Sequence, residues 1–553
     1  MFVGRGVLGF VNRRYLSSAF LKNSNEKAQH LGGRTGFLWK RLIYAWYGKM
    51  SEVNEQYEAL STEEKLHYKL LSAICNNSVA TGTQILEDHD IDVNFIDQLF
   101  YKGQSLLIRA AFDSPALCKV LLDKGADINL GESTCGASPL ICAAERNTES
   151  CKILLEAGAD VNETDNEGTT ALHAAAHANA SAIPILLEAG ADVDAEESED
   201  IGGRQPLHYA AQTSPEACKL LLDAGADVEA PLNSEEAETA ILIAASKAPR
   251  CLQVLIDAGA NVNVQFNSTG ASPLHEVSDP GEDVCFTLML LEAGANTEIK
   301  DHTDKTALHH AARNNEAVCK ALLDAGAKWD VKDEDGITPM HYAAVGDNVE
   351  SIQHLVDKGA SLDVTDKKMN SPLHCAAMTD STKATEFLID KGANIHSRNM
   401  HGMTPLHQAS NGHPEVVKTL LAKGADIEGK MKNGMTPIFA AANGSPESLK
   451  ILIEAGANIN VQSGTGATPL FRAVEKNFES TKILVEAGCE LNTQEEDGLT
   501  ALHGVSDDNT QACKVLIGAG ARLDIASKTG GTALHCAARE NAEVCKLMLD
   551  AGA

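Results

Sequence analysis

The side chains in this 553-residue chain best suited to bind a metal or attack a substrate are its nineteen histidines and fourteen cysteines. Their spacing argues against both chemistries. Nine histidines, His173, His208, His275, His309, His341, His374, His407, His503 and His535, fall at steps close to multiples of about 33 residues. No two of these fall at the i, i+4 spacing of HExxH, which sets two ring nitrogens on one helix face. Ile108, Ile141, Leu242, Phe439 and Phe471 take the same place in other copies. An apolar residue can replace a packed ring but not a ligand. The cysteines are also in phase: Cys118, Cys151, Cys218, Cys285, Cys319, Cys513 and Cys545 each lie eleven residues after a repeated leucine position, and Cys251 lies ten after. Copies a repeat apart would sit beyond the roughly 7 Å Cα limit of a disulfide. They read as small buried hydrophobes in a reducing, cytoplasmic setting. The acidic run at 88–94, DHDIDVN, begins like a calcium loop. It lacks the glycine at the sixth place (Val93) and the glutamate at the twelfth (Leu99). GxxxxGK[ST] and GxSxG do not occur. No cofactor, metal or catalytic residue is expected, and the chain reads as a non-enzyme.

The elements that hold these residues are short and repeated. Residues 402–433 read GMTPLHQASNGHPEVVKTLLAKGADIEGKMKN. Thr404 suits a helix N-cap and Pro405 the first helical position. Leu406, Ala409 and Ser410 give a first helix a face of small residues. Val416, Val417, Leu420 and Leu421 give a second helix one apolar stripe. Gly424 ends it in the left-handed cap position. Neither helix can bury its face alone, so each unit needs a neighbouring copy. The leucine position recurs at Leu107, Leu140, Leu172, Leu207, Ile241, Leu274, Leu308, Met340, Leu373, Leu406, Ile438, Leu470, Leu502 and Leu534, fourteen units in all. Ser or Thr stands two residues earlier in thirteen of them, Gln205 being the exception.

At these motifs, TPLH at 404–407, SPLH at 272–275 and 371–374 and the GAD or GAN closings, residues 103–553 resemble the ankyrin-repeat family. The resemblance implies an all-α fold, an α-solenoid of stacked helix-turn-helix units with β-hairpin-like loops projecting from one edge. It also implies that the repeated histidine bonds the preceding Thr hydroxyl and backbone, tying one unit to the next. Asn129, Asn162, Asn263 and Asn460, in the DIN, DVN, NVN and NIN closings, become candidate targets of an asparaginyl hydroxylase; Asn also simply suits such a turn.

Residues 50–102 read as a linker and a degenerate capping unit, with helices in KLLSAICNN and VATGTQILED. Residues 1–49 carry nine Lys or Arg against one acid, so the remainder holds a net charge of −39 of the chain's −31 total. That acidic body disfavours nucleic acid. The basic leader, with RRYLSSAF at 13–20, resembles a mitochondrial transit segment; a disordered extension, or translation from Met50, fits equally. FLWKRLIYAWY at 37–47 suits a membrane interface.

Function then rests on what the units present to solvent. Two long loops carry Asp194, Glu196, Glu197, Glu199 and Asp200, then Glu235, Glu236 and Glu238. Neighbouring loops stand side by side in a solenoid, so these acids read as one patch for a basic partner segment, or as ordinary solvated loops. Residues two after the repeated leucine vary between units: Arg109, Cys142, Tyr209, Ile243, Glu276, His310, Tyr342, Cys375, Gln408 and Arg472. Such variation suits a surface read by a partner, with Tyr209 and Tyr342 as aromatic anchors. The reading is a protein-interaction scaffold, the alternative a regulatory or substrate-adaptor subunit of an enzyme complex.

Overall fold

The computed structural model describes residues 60–97, 103–198, 200, 202–232, 237–278, 281, 283–505, 510–540 and 542–553. The leader, the aromatic segment at 37–47, Glu199, Glu235 and Glu236 lie outside them. Contacts divide the chain into two units, Met1–Ser268 and Thr269–Ala553.

Within the first unit the described residues form six helix pairs, from Thr62–Cys75 with Val79–Asp88 to Ala240–Lys247 with Leu252–Asp257. The second unit holds nine, from Pro273–Glu276 with Val284–Glu292 to Ala533–Glu540 with Ala542–Asp550. The architecture is an all-α ankyrin solenoid; among the described residues the only extended pairing is two isolated bridges, Ile96 with Ser105 and Ala526 with Thr532.

Each pair follows its sequence. Thr404 is extended (φ −94°, ψ 166°) and Pro405 starts the helix Pro405–Ser410. Leu406, Ala409, Val416, Val417 and Leu420 are at most 1% exposed. Each buried Leu contributes about 1.5–3 kcal/mol, but only because adjacent units cover it. Gly424 takes φ +89° after the second helix, a conformation in which a Cβ would be strained.

Three ladders join consecutive loops. At the tips, Lys367 N–H donates to Asp335 O (2.9 Å), Met400 to Lys368 (2.9 Å) and Lys432 to His401 (3.2 Å). Just before the tips, long donors reach the next loop's carbonyl: Lys300 to Lys332 (3.2 Å), Lys332 to Thr365 (2.9 Å) and Gln494 to Ala526 (3.1 Å). In the closings, a side-chain oxygen accepts the next unit's backbone N–H, as in Asn162 from Asp192 (2.9 Å), Asp194 from Asp227 (3.0 Å) and Glu428 from Asn458 (2.7 Å).

Candidate protein-interaction surfaces

The histidine row repeats one hydrogen-bond pattern in both units. In His407, Nδ1 accepts the Thr404 backbone N–H (3.1 Å) and lies 2.8 Å from the Thr404 hydroxyl. A nitrogen that accepts an N–H cannot carry a proton of its own, so the ring is the Nε2–H tautomer and the hydroxyl donates to Nδ1. Nε2–H then donates to the Met435 carbonyl of the next unit (3.3 Å). The pattern recurs in His173 with Arg204 (2.9 Å), His309 with Val331 (3.1 Å), His341 with Asn370 (3.0 Å) and His374 with Met403 (2.9 Å). Gln205 is no exception to the geometry, since its backbone N–H donates to His208 Nδ1 at 3.0 Å. Burial is the main reason these rings resist protonation; His309 and His407 are pushed down to about 4. In three of the five units that lack the histidine the hydroxyl accepts a first-turn backbone N–H, and in the other two, at Thr239 and Thr436, it has no hydrogen-bond partner among the described residues. Ser105 accepts from Ile108 N–H (3.2 Å), Ser138 from Ile141 (3.4 Å) and Thr468 from Phe471 (3.4 Å).

None of the fourteen cysteines forms a disulfide. Burial pushes the thiols of Cys118, Cys151 and Cys319 up to about 12, which keeps them protonated and poor nucleophiles. One expectation needs correction. Cys285 is exposed, because the second helix Val284–Glu292 starts ten residues after Leu274, against eight or nine in the other units (two of which open with a short 3-10 turn), which puts Thr287, not Cys285, at the buried place. Cys251, in the short turn Pro249–Cys251, donates its thiol to the Ala210 carbonyl (3.9 Å).

The acids of the long loops separate by role. Glu196 and Asp200 are exposed, and Asp194 and Glu238 are partly so. Glu197 is a correction to the solvent-facing patch: it is 5% exposed, accepting from the Tyr209 hydroxyl (2.9 and 3.0 Å) and from the Thr169 hydroxyl (2.9 Å). Tyr209 is therefore tied to the loop, and Arg204 lies over its ring at 5.7 Å. Tyr342 repeats the arrangement in the second unit, donating to Asp333 at 2.9 Å. His310 likewise meets Asp301 at 3.3 Å. Cys142 and Ile243, expected on the variable surface, are buried at 6% and 1%. Their sequence signal was available, since both are apolar at a place otherwise mostly polar.

The four closing asparagines share one geometry. The backbone N–H of Asn129, Asn162, Asn263 and Asn460 donates to the side chain two residues earlier at 2.9–3.0 Å. Asn162 and Asn460 also accept from the next unit, at 2.9 and 2.8 Å. Asp194 and Glu428 do the same work elsewhere, so the requirement is for an acceptor.

A family model described as ankyrin repeats (3 copies) matches residues 70–165, 106–197, 140–232, 274–366, 346–431, 428–495 and 470–553. The chain belongs to the ankyrin-repeat family. Ankyrin repeats are generally protein–protein interaction modules, and the fold is typically non-catalytic. Over 85 residues this ankyrin chain is 36% identical to the E3 ubiquitin-protein ligase hecd-1 of Caenorhabditis elegans. That stretch is 15% of this chain and 3% of the length of that relative. Two solved structures are similar to it. The human ASB11 ankyrin repeat domain is 26% identical with a TM-score of 0.36, over 39% of this chain and 99% of that one. The ankyrin repeat domain of Bcl-3, described as a unique member of the IkappaB protein family, is 28% identical with a TM-score of 0.35, over 39% and 100%. Among the described residues no helix is long and apolar enough to cross a membrane.

Proposed function

We propose that this ankyrin array is a non-catalytic scaffold that holds partner proteins along its loop tips and the exposed face of its first helices. One observation carries the reading. The side chains with catalytic chemistry are spent inside, histidines on carbonyls and most thiols in packing, whereas the loop tips change charge from unit to unit on a backbone fixed by ladders. In the first unit Asp194, Glu196, Asp200 and Glu238, with Glu199, Glu235 and Glu236 of the same loops, form the docking surface for a basic partner segment. The Glu197–Tyr209 pair braces it, and Tyr342 is the corresponding braced aromatic in the second unit. The closing asparagines Asn129, Asn162, Asn263 and Asn460 are proposed hydroxylation sites. The compartment is the cytoplasm, or the mitochondrion if residues 1–49 act as a transit segment; FLWKRLIYAWY at 37–47 is the one proposed membrane contact.

The second reading, a regulatory or substrate-adaptor subunit of an enzyme complex, draws on the short similarity to a ubiquitin ligase. An in-cell crosslinking pull-down separates the readings. One bait is the full chain; the other carries Asn or Gln at the acids of 194–200 and 235–238, with Glu197 left intact. A partner captured by the first and lost from the second is the expected result. Equal capture by both would remove the acidic tips from the binding site. A co-purifying catalytic activity favours the adaptor.

A further inference from the structure

The tip ladder of the second unit reverses charge over three consecutive loops. In register, the two tip residues are Glu334 and Asp335, then Lys367 and Lys368, then Met400 and His401, then Lys432 and Asn433, then Gly464 and Thr465, then Glu496 and Asp497. All of these residues are exposed. Among the described residues no carboxylate lies within ion-pair distance of Lys367, Lys368 or Lys432; the Lys367 ammonium instead donates to the Glu334 carbonyl. In a chain of net charge −31, a cationic patch next to the acidic tip of Glu334 and Asp335 is an exception that has to be maintained against the rest of the surface.

A second observation falls on the same tips. The tip turn needs a left-handed residue, and the neighbouring loops supply Gly336 (φ +79°), Gly402 (φ +76°) and Gly434 (φ +78°). The loop between the first two supplies Met369, at φ +61° and 52% exposed. A methionine here is strained where glycine would not be, and its apolar side chain faces water. Met400 on the adjacent tip is 42% exposed. Flexible, polarizable methionines are well suited to binding varied apolar side chains.

We propose that these three tips are the docking site for a short acidic segment of a partner protein, its carboxylates on Lys367, Lys368 and Lys432 and an apolar side chain against Met369 and Met400. This rests on the reading of the chain as an interaction module and adds a second site of opposite charge preference. Three loops about 10 Å apart span roughly 20 Å, which about six extended residues cover. A peptide is favoured over a nucleic acid or a lipid surface because acids adjoin the patch at Glu334 and Asp335 and stand two loops beyond Lys432 at Glu496 and Asp497, and because the patch carries apolar contacts that a phosphate backbone would not use.

The test is fluorescence polarisation with the full chain and a fluorescein-labelled nonapeptide of the repeat Glu-Glu-Leu. A Gln-Gln-Leu peptide, an oligo-dT strand and phosphatidylserine vesicles are measured alongside. Salt-sensitive binding of the acidic peptide is expected, weakened about ten-fold or more by Lys368→Gln with Lys432→Gln. Met369→Gly should weaken it several-fold while raising the unfolding midpoint, an opposition that a purely structural residue would not produce. The proposal is overturned if the acidic peptide does not bind, if the lysine variant binds it equally, if the Gln-Gln-Leu peptide binds as well, or if oligo-dT or vesicles bind these lysines more tightly. The acids at 194–200 and 238 are untouched, so the scaffold test above succeeds or fails separately.

Discussion

His341 and Asn370, one unit apart, are joined by a 3.0 Å bond from the ring Nε2–H to the backbone carbonyl. The same ring accepts the Thr338 N–H at 3.2 Å, so one side chain both starts a helix and fixes the next loop. His341→Ala removes both bonds and leaves a buried carbonyl and a buried amide without partners. The expected loss is about 2–4 kcal/mol. His341→Leu, which keeps the packing as Leu242 and Phe439 do in their units, should lose about half of that. Urea unfolding of both variants checks the order; a His341→Ala variant as stable as the parent would refute the ladder's importance.

Acid should weaken the array through these rings. A histidine held at about 4 when folded and near 6.5 when unfolded binds its proton more readily in the unfolded chain. Its stabilisation is therefore complete above about 6.5 and is lost as pH falls from there through the folded value. Each such ring contributes a slope of about 1.4 kcal/mol per pH unit within that window. Unfolding measured between neutral pH and about pH 4.5 should show the slope. His309→Leu with His407→Leu should flatten it while lowering stability at neutral pH; an unchanged slope would assign the acid sensitivity to other groups.

Two glycines at one repeat position should respond oppositely to alanine. A Cβ at Gly346 would overlap the Arg313 carbonyl of the preceding unit, whereas at Gly412 it meets nothing within 4 Å, and neither residue has a positive φ. Gly346→Ala should cost about 1–3 kcal/mol through forced backbone movement. Gly412→Ala should gain about 0.4–1 kcal/mol by narrowing the unfolded ensemble. Thermal unfolding of the pair reads the two signs, and a shared sign would refute the contact argument.

Alkylation should single out Cys285 among the in-phase cysteines. It is exposed, while Cys118, Cys151, Cys218, Cys251, Cys319 and Cys513 are buried. Brief maleimide labelling of the native protein followed by peptide mass mapping should mark Cys285 well before those six. Labelling of all seven at similar rates would mean that the second helices open readily.

The repeat, the helix starts and the core positions were legible in the sequence because they depend on residues within one unit. A Thr before a Pro, an apolar stripe and a closing glycine each act over a few residues. Cys285 was misplaced because the longer turn moves the buried place from eleven to thirteen residues after the leucine, where Thr287 stands, so a cysteine eleven after Leu274 no longer marks it. Glu197 was misread because its partners, Thr169 and Tyr209, belong to other segments, so its composition looked like that of any solvated acid.

By itself, the sequence determined the class and the period, while the role of the histidine row was implied by the family resemblance. The class and the period follow from local capping and from apolar faces that only a neighbouring copy can cover. Tertiary structure decided which charged residues are free to meet a partner. A carboxylate such as Glu197 is withdrawn by a hydroxyl that the chain delivers from twelve residues away. Lys368 and Lys432 are brought onto one surface by backbone bonds between loops. Charge in a sequence is a property of single residues, but a binding surface is set by distances across units, and those exist only once the loops are stacked.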